Sequence, residues 1–511
     1  MNKQVPRKVL IVGGGTAGWI TALTMAKVWK DSKPEITLID SEQIGIIGVG
    51  EGSTVAMKDY FERMKIPESE WMPQCQATYK AGILFPGWTN QHSLYPEYFH
   101  PFFSKVDKKT GRAFIENTDL RRQGYQVPLD SRDFFLAAAL SKHQKAPVKL
   151  RDYIPGSTEY AYHFDSAMLG QFLRKKALCY GVTNIRGNVQ HINLKPDGSI
   201  RSVISEEHGE LSADLFVDCT GFQSLILEKA LKVPFISYGN TLLNDSAVAI
   251  QTYDEDLENL PPYTESKGLS AGWRWRIPLA NRYGNGYVYS SNHITPEQAE
   301  QELRASLGKK TDTMMAKHIK MRVGRTVRHY EQNCLAVGLS QGFIEPLEAS
   351  ALSLVLVTVL KFVNDTEAGQ FNPQEFNNTI NSFFDGTLDY IGAHYKVNSR
   401  TDTQYWLDAR EGITISPFLT QLLEKWKAGD NVSKHIWEGW DYPPYVTESW
   451  YALLAGKGYF PDATKPIEPQ YYYDGNKSFA YLESIAAQFP SHGELVSFYH
   501  GNASNLEAKA R

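Results

Sequence analysis

Residues Lys8 to Asp40 read KVLIVGGGTAGWITALTMAKVWKDSKPEITLID. An apolar run, Lys8 to Val12, meets a glycine turn, Gly13 to Gly18; Trp19 to Trp29 then carries apolar residues at helical spacing, and Glu35 to Asp40 reads as a second strand. Strand, tight turn, helix, strand is a βαβ unit. Gly13, Gly15 and Gly18 form G-x-G-x-x-G at the turn, with Thr16 and Ala17 inside it. Glycines at these positions let a pyrophosphate approach the backbone amides at a helix N-terminus, and Asp40, 22 residues after Gly18, stands where an acid can hold a ribose hydroxyl. The pattern predicts a bound dinucleotide, with a purely structural glycine turn as the competing reading.

Outward from this unit, Ser41 to Arg132 is rich in Pro, Gly and aromatic residues and short of long periodic runs, so loops and short elements over a sheet are expected. Ser166 to Ala177 reads as a helix and Ile185 to Leu194 as a strand, joined through the turn Pro196 to Ser199 to a strand at Ile200 to Glu206. Ser212 to Asp218 is a further strand running into Thr220-Gly221 and an expected helix. Gly272 to Pro278 and Gly286 to Tyr289 suggest antiparallel strands; Ala349 to Asn364 and Gln374 to Tyr395 suggest helices. The last hundred residues mix Trp-rich helices with Pro-bearing loops, and no linker stands out.

The composition excludes several classes of function. With 53 Lys plus Arg against 57 Asp plus Glu, the net charge of −4 gives no pull toward nucleic acid or an anionic membrane. Cys75, Cys179, Cys219 and Cys334 are scattered without a C-x-x-C pair, so neither a disulfide framework nor a metal site is expected, and a reducing, cytoplasmic setting fits. The longest apolar candidate, Ala351 to Val363, is interrupted by Ser353, Thr358 and Lys361, so no membrane span is expected.

Further motifs narrow the reading. Asp214 to Gly221, DLFVDCTG, resembles the strand-plus-D-x-T-G element of two-dinucleotide-fold flavoproteins, and Cys334 to Gly338 is an apolar strand placed where that superfamily returns to its flavin. Gly272 to Pro278 contains W-x-W-x-I-P, with Trp273 and Trp275 on one face of a strand. Gly48 to Thr54 reads GVGEGST, and Lys80, in Tyr79 to Ile83, lies among Tyr79, Ala81, Ile83, Leu84, Phe85 and Trp88, neighbours able to desolvate it. Gly342 to Leu352, GFIEPLEASAL, is a loop entering a helix, whose free amides form a natural anion site. Tyr162 to Asp165, YHFD, precedes the helix at Ser166, and Phe99 to Phe102 reads FHPF.

Together and in this order, over about the first 450 residues, these motifs resemble the flavin-dependent halogenases of the tryptophan/indole type. The resemblance implies an α/β chain, with a two-dinucleotide-fold (p-hydroxybenzoate-hydroxylase-like) FAD domain and a mainly helical substrate cap. The FAD core is expected over 1–400, with substrate-lining insertions around 85–150, and the cap over 401–511. It implies that FAD, reduced by a separate flavin reductase, together with dioxygen and chloride or bromide, yields hypohalous acid that halogenates a small electron-rich arene. By the same resemblance Lys80 delivers the halogen, by hydrogen bonding or as a haloamine, and Glu348 orients the electrophile or takes the ring proton. Gly13, Gly15, Thr16, Ala17, Gly18, Asp40, Glu51, Val189 and Gly338 hold the cofactor. Ser350 and Ala351 hold the halide, His100, Phe102 and Tyr445 hold the substrate, and Trp273 and Trp275 screen it from the flavin.

The chain departs from the expected pattern in three places. Leu339-Ser340 follows the returning strand where the flavoprotein superfamily has an acid, so ribityl contacts there must differ. After the glutamate the family has Ser and then Thr-Gly; here Ala349, Ser350 and Ala351 follow, which keeps the backbone anion site but loses a hydroxyl at Ala349. The stretch from about Lys425 to Gly456 carries Trp437, Trp440, Tyr442, Tyr445 and Trp450 without a clear ammonium and carboxylate clamp, which favours indole or a small indole derivative and leaves free tryptophan open. A homodimer is compatible with the sequence. The alternatives are a flavin-dependent aromatic monooxygenase or oxidoreductase on the same fold, which does not need Lys80, and a non-enzymatic flavin-binding protein. Replacement Lys80→Ala is expected to abolish halogenation, read by product mass, while FAD binding, read by titration, is retained; native regioselective halogenation by the variant would overturn the assignment.

Overall fold

A computed structural model of the chain describes residues 4–41, 51–90, 96–148, 158–253, 259–308, 311–440 and 443–501. The chain forms two compact units that interleave along the sequence. Met1–Cys75, Asp165–Tyr238 and Arg322–Asp385 make the first; Gln76–Phe164, Gly239–Met321 and Gly386–Arg511 make the second. The division therefore falls elsewhere than the expected boundary at 400, because strands distant in sequence pair with one another within each unit.

The first unit is built on a six-stranded sheet in the order Tyr330–Glu331, Cys334–Ala336, Leu215–Asp218, Lys8–Val12, Glu35–Asp40, Thr183–Arg186. All neighbours are parallel except the edge pair Tyr330–Glu331 and Cys334–Ala336. Lys8–Val12 is central because Val9 to Val12 are an unbroken apolar run with no more than 3% exposure, as a strand covered on both faces requires. The following helix, Thr16–Val28, is buried from Gly18 to Ala26 and packs on the helices Ser166–Cys179 and Ala351–Glu367. The Trp29 indole N–H donates to the Val363 carbonyl at 3.1 Å, tying the start of the chain to the last of these helices.

Two sequence expectations change here. Ile185 to Leu194 is not one strand: Thr183–Arg186 joins the parallel sheet, while Val189–Leu194 pairs antiparallel with Ile200–Ser205. The break comes at Gly187, where a Cβ would lie 2.6 Å from Glu207 Oε2 and 2.7 Å from Ser205 Oγ. After Thr220-Gly221 there is no full helix but a short π-type turn, Leu225–Ala230. The reason is Asp218, fully buried, whose carboxylate accepts from the Thr220 amide and hydroxyl and from the Ile226 and Leu227 amides, folding the chain back tightly.

The second unit carries a seven-stranded sheet in the order Ala316–Lys320, Ser246–Thr252, Tyr283–Tyr289, Gly272–Pro278, Tyr263–Gly268, Gly82–Pro86, Glu97–Pro101. Only Tyr263–Gly268 and Gly82–Pro86 run parallel. A separate ribbon pairs Thr78–Lys80 with Ala161–His163. The helices of 401–511 therefore belong to a unit that also holds a large sheet. Between Ser41 and Arg132, where short elements are expected, lies a 15-residue helix, Lys108–Arg122. Its buried face includes Thr110, Asn117, Thr118 and Arg122, so apolar periodicity does not announce it. Arg122, 3% exposed, stacks on Trp426 at 4.6 Å and donates to the carbonyls of Lys425, Trp426 and Asp430, satisfying the end of the helix Pro417–Ala428.

Packing in the sheet leaves one glycine no latitude. A Cβ on Gly286 would lie 2.1 Å from the ring of Trp275 on the neighbouring strand. Gly286→Ala is expected to cost about 1–3 kcal/mol and to displace the Trp275 ring, seen as a lower Tm with altered tryptophan fluorescence; an unchanged Tm and spectrum would contradict this packing.

Candidate active site

In the first unit the glycine turn has the shape a dinucleotide needs. Gly13 has φ +114°, and a Cβ there would meet the Cys219 carbonyl oxygen at 2.2 Å; one on Gly18 would meet the Gly13 oxygen at 2.1 Å. These two glycines let backbone pack on backbone. A Cβ on Gly15, by contrast, would meet nothing within 4 Å, and Gly15 is the N-cap of Thr16–Val28 with no side-chain cap. The turn thus presents open ground before uncapped helix amides, which fits a pyrophosphate. Gly338, at φ +75°, brings the returning strand against Ala17: a Cβ there would be 2.8 Å from the Ala17 methyl. Thr16 turns its hydroxyl to the Ser166 carbonyl at 3.3 Å.

Asp40 ends its strand beside Gly14, with its carboxylate bonded by Arg186 at 2.8 Å and Asn184 at 3.0 Å. A carboxylate has roughly four acceptor positions, so capacity for a ribose hydroxyl remains. Glu51 is buried at 4% exposure, while Gly48 to Gly50 lie outside the described residues. Val189 is half-buried and packs against the apolar cluster that includes Leu10, Phe216 and Ile200.

Also in the first unit, a 3-10 turn, Pro346–Glu348, leads through Ala349 into the 17-residue helix Ala351–Glu367. Ala349 has φ +54°, a left-handed conformation that costs a non-glycine residue about 1–2 kcal/mol. Glu348 is 4% and Ser350 3% exposed. Among the described residues the buried Ser350 hydroxyl has no hydrogen-bond partner, at the uncapped start of this helix. A buried unmet hydroxyl costs about 1–3 kcal/mol, so its presence beside free helix amides fits an anion site. The hydroxyl missing at Ala349 is thus offered one residue later.

In the second unit Lys80 ends the strand Thr78–Lys80 at 1% exposure, with its ammonium 5.5 Å from the centre of the Phe102 ring. His100 is 4% exposed, and its Nε2 lies 3.1 Å from the Tyr390 hydroxyl. That hydroxyl donates to the Ser449 carbonyl at 3.1 Å, so it accepts from His100, whose proton is on Nε2. Tyr390 also stacks face to face on Tyr445 at 3.6 Å and meets the edge of Trp450 at 4.9 Å. Burial first, and then the Lys80 charge, lowers the His100 pKa to about 3. His163 is pushed well down by burial, the Lys80 charge and His492.

Trp273 and Trp275 lie on one face, 1% and 5% exposed, with ring centres 6.2 Å apart. Among the described residues the buried Trp273 indole N–H has no partner. The Trp-bearing strand is tied to the Lys80 strand where the Thr78 hydroxyl donates to the Pro278 carbonyl at 2.7 Å. Thr78 also accepts from His163 Nδ1 at 3.2 Å, leaving Nε2 to accept from the Thr264 hydroxyl at 2.8 Å.

The tryptophan halogenase family model matches residues 8–471. The chain belongs to the tryptophan halogenase family. This halogenase is 36% identical over 485 residues to tryptophan 6-halogenase SttH of Streptomyces toxytricini, covering 90% of each chain. The structure of BrvH, a flavin-dependent halogenase from Brevundimonas sp. BAL3, matches it with a TM-score of 0.83 at 30% identity, over 97% of this chain and 99% of that one. The tryptophan halogenase from Shewanella frigidimarina matches with a TM-score of 0.86 at 29% identity, over 98% of both chains. The enzyme class, the α/β flavoprotein fold with a substrate-binding domain, and the flavin dependence expected from the motifs therefore hold.

The structure places Lys80, Phe102, His100 and Tyr445 in one unit, and the glycine turn, Asp40, Gly338, Glu348 and Ser350 in the other. Tyr390 was not singled out in the sequence: it is one aromatic in an amphipathic helix, and only its contacts reveal it. Of the aromatic residues of the Lys425 to Gly456 stretch, Trp437 is 58% exposed, Tyr442 lies outside the described residues, and Tyr445 and Trp450 join Tyr390. Among the described residues no helix is long and apolar enough to cross a membrane, and no cluster of His, Cys, Asp and Glu has metal-binding geometry.

Burial lowers His100 and His329 to about 3 and His492 to about 4, against 6.5 for an ordinary histidine. Between those values and pH 6.5 the unfolded chain binds more protons than the folded one, so stability rises with pH through that window. The stabilisation is complete above about pH 6.5 and is lost as pH falls toward 4. Thermal melts from pH 7.5 to 4.5 are expected to show Tm falling steadily below pH 6.5; a flat profile would refute the neutral-histidine assignment.

Proposed function

We propose that this halogenase uses reduced FAD, supplied by a separate flavin reductase, with dioxygen and chloride or bromide to halogenate an electron-rich arene of the indole type through Lys80. The observation that carries the reading is the burial of Lys80 at 1% exposure in a chain matching the family from residue 8 to 471. Burial takes the ammonium out of water, which is what tuning a lysine requires. Bound reduced FAD supplies, from dioxygen and halide, the oxidising equivalent carried as hypohalous acid.

The chain's own residues do the rest. The turn Gly13, Gly15 and Gly18, with Thr16 and Ala17, would hold the pyrophosphate, and Gly338 would let the returning strand approach the flavin; Asp40 would hold the ribose. Glu51 and Val189 are the less direct candidates, since Val189 already packs in the apolar core. The Ser350 hydroxyl and the amides of Ser350 and Ala351 hold the halide. Trp273 and Trp275 exclude substrate and bulk water from the flavin side, and the unmet Trp273 N–H is a donor available to a ligand.

Lys80 hydrogen-bonds the oxygen of the hypohalous acid and makes the halogen more electrophilic. The ring carbon bonds to the halogen as the halogen–oxygen bond breaks; the departing oxygen takes a proton from Lys80 and leaves as water. Glu348 accepts the proton that the ring carbon loses. His100, held neutral, Phe102 and Tyr445 bind the ring, and Tyr445 is braced from behind by Tyr390.

An aromatic-walled cluster without an evident amino-acid clamp favours indole and small indoles over free tryptophan. Incubation with a flavin reductase, bromide, and either indole or tryptophan, read by mass spectrometry, is expected to give a bromine isotope pair with turnover on indole at least comparable to that on tryptophan. A strong preference for tryptophan would refute the substrate class. A gain of oxygen without halogen would refute the mechanism.

A further inference from the structure

The last helix among the described residues of the second unit is His492–Tyr499, which lies beyond residue 471, where the match to the family model stops. Both ends of this helix reach the strand that carries Lys80. His492, fully buried, accepts the Tyr79 amide N–H on Nε2 at 3.0 Å, and its Nδ1 lies 2.9 Å from the Leu260 carbonyl. A carbonyl only accepts, so Nδ1 carries the proton and Nε2 is bare, which is what a backbone N–H requires. At the other end, His500 Nε2 lies 3.3 Å from the Ala77 carbonyl, to which it donates.

The ribbon register explains why this matters. Thr78 and Lys80 pair across to His163 and Ala161, and backbone groups alternate between the two edges of a strand. Tyr79 therefore points its amide away from the ribbon, to the edge that the terminal helix covers. The helix is itself pinned: the Ser491 hydroxyl caps it at Glu494, the His492 amide donates to the Gln144 carbonyl at 2.8 Å, and the Ala146 amide donates to the Pro490 carbonyl at 3.0 Å. Its own Leu495 and Val496 are buried.

We infer that the C-terminal helix His492–Tyr499 serves as the second edge partner of the Lys80 strand, with His492 as a positioning residue that sets where the Lys80 ammonium stands. This rests on the role proposed for Lys80. Hypohalous acid that is not held by a correctly placed Lys80 diffuses away, so loosening the strand should raise escape of oxidant relative to halogenated product, whereas general destabilisation would lower both together.

The test uses the full chain with His492→Phe, which keeps an aromatic ring but has no acceptor, and His492→Gln, whose amide oxygen can take the Tyr79 N–H while its NH2 donates to Leu260. Without any flavin, hydrogen exchange of the peptide spanning 77–82 is expected to quicken about tenfold at the Tyr79 amide in His492→Phe. With reductase, bromide and indole, the ratio of hypobromous acid trapped by monochlorodimedone to bromoindole is expected to rise about tenfold, since displacement on the order of 1 Å can cost up to about a hundredfold. His492→Gln should restore both. Should His492→Phe not fold, His500→Ala, which removes only the Ala77 contact, is expected to move both readouts in the same direction by less. Unchanged exchange and an unchanged escape ratio in the variant that folds would overturn the inference, as would failure of His492→Gln to restore either. Regioselective halogenation by Lys80→Ala would instead overturn the role of Lys80, an outcome separable from the exchange result.

Discussion

Holding the Lys80 ammonium out of water is the constraint on which the second unit is organised. Removing an ammonium from water costs several kcal/mol even after relaxation, and a second positive charge nearby would add to that. The Phe102 ring lies beside its ammonium, and His100 and His163 are kept neutral by burial and by Lys80 itself. Neutral histidines have one donor and one acceptor each, and His163 spends both on fixed partners. His163 joins Thr78 to Thr264, and His100 joins Tyr390, so the same electrostatics that keep these rings uncharged also lock the elements that hold Lys80.

The first unit keeps an opposite preference. There, helix starts are left without side-chain caps at Gly15 and Ser350, which leaves donors facing outward from the helix ends. Such ends are costly unless water or an anion meets them, and a dinucleotide pyrophosphate and a halide are the two anions this enzyme class requires. Ala349 adds local cost by adopting a left-handed conformation, a strain of the kind that persists where the surroundings over-determine the backbone.

Much of this was legible in the chain before any coordinates. The Lys8 to Asp40 unit announces itself because a parallel central strand must be apolar on both faces and a phosphate turn must be glycine, and each demand leaves a local signature. The helix Lys108–Arg122 left none, since its buried face includes Arg122 and Asn117, whose partners come from remote segments, and Thr110 and Thr118, which donate to backbone carbonyls three and four residues earlier. The break at Gly187 and the tight return after Thr220 were hidden for a similar reason: both depend on side chains, Glu207 and Asp218, whose positions relative to the backbone follow only from packing.

Sequence alone pointed to the flavoprotein fold and the halogenase family, because the motifs that resemble that family stand in a fixed order along the chain. Only the tertiary structure decided that Lys80 is buried, that Tyr390 braces both His100 and Tyr445, and that the terminal helix grips the Lys80 strand. Contacts such as Tyr390 with His100 and Tyr79 with His492 join residues hundreds of positions apart, and a contact of that kind is encoded in the balance of burial and hydrogen bonding over the whole unit rather than in any stretch of the chain.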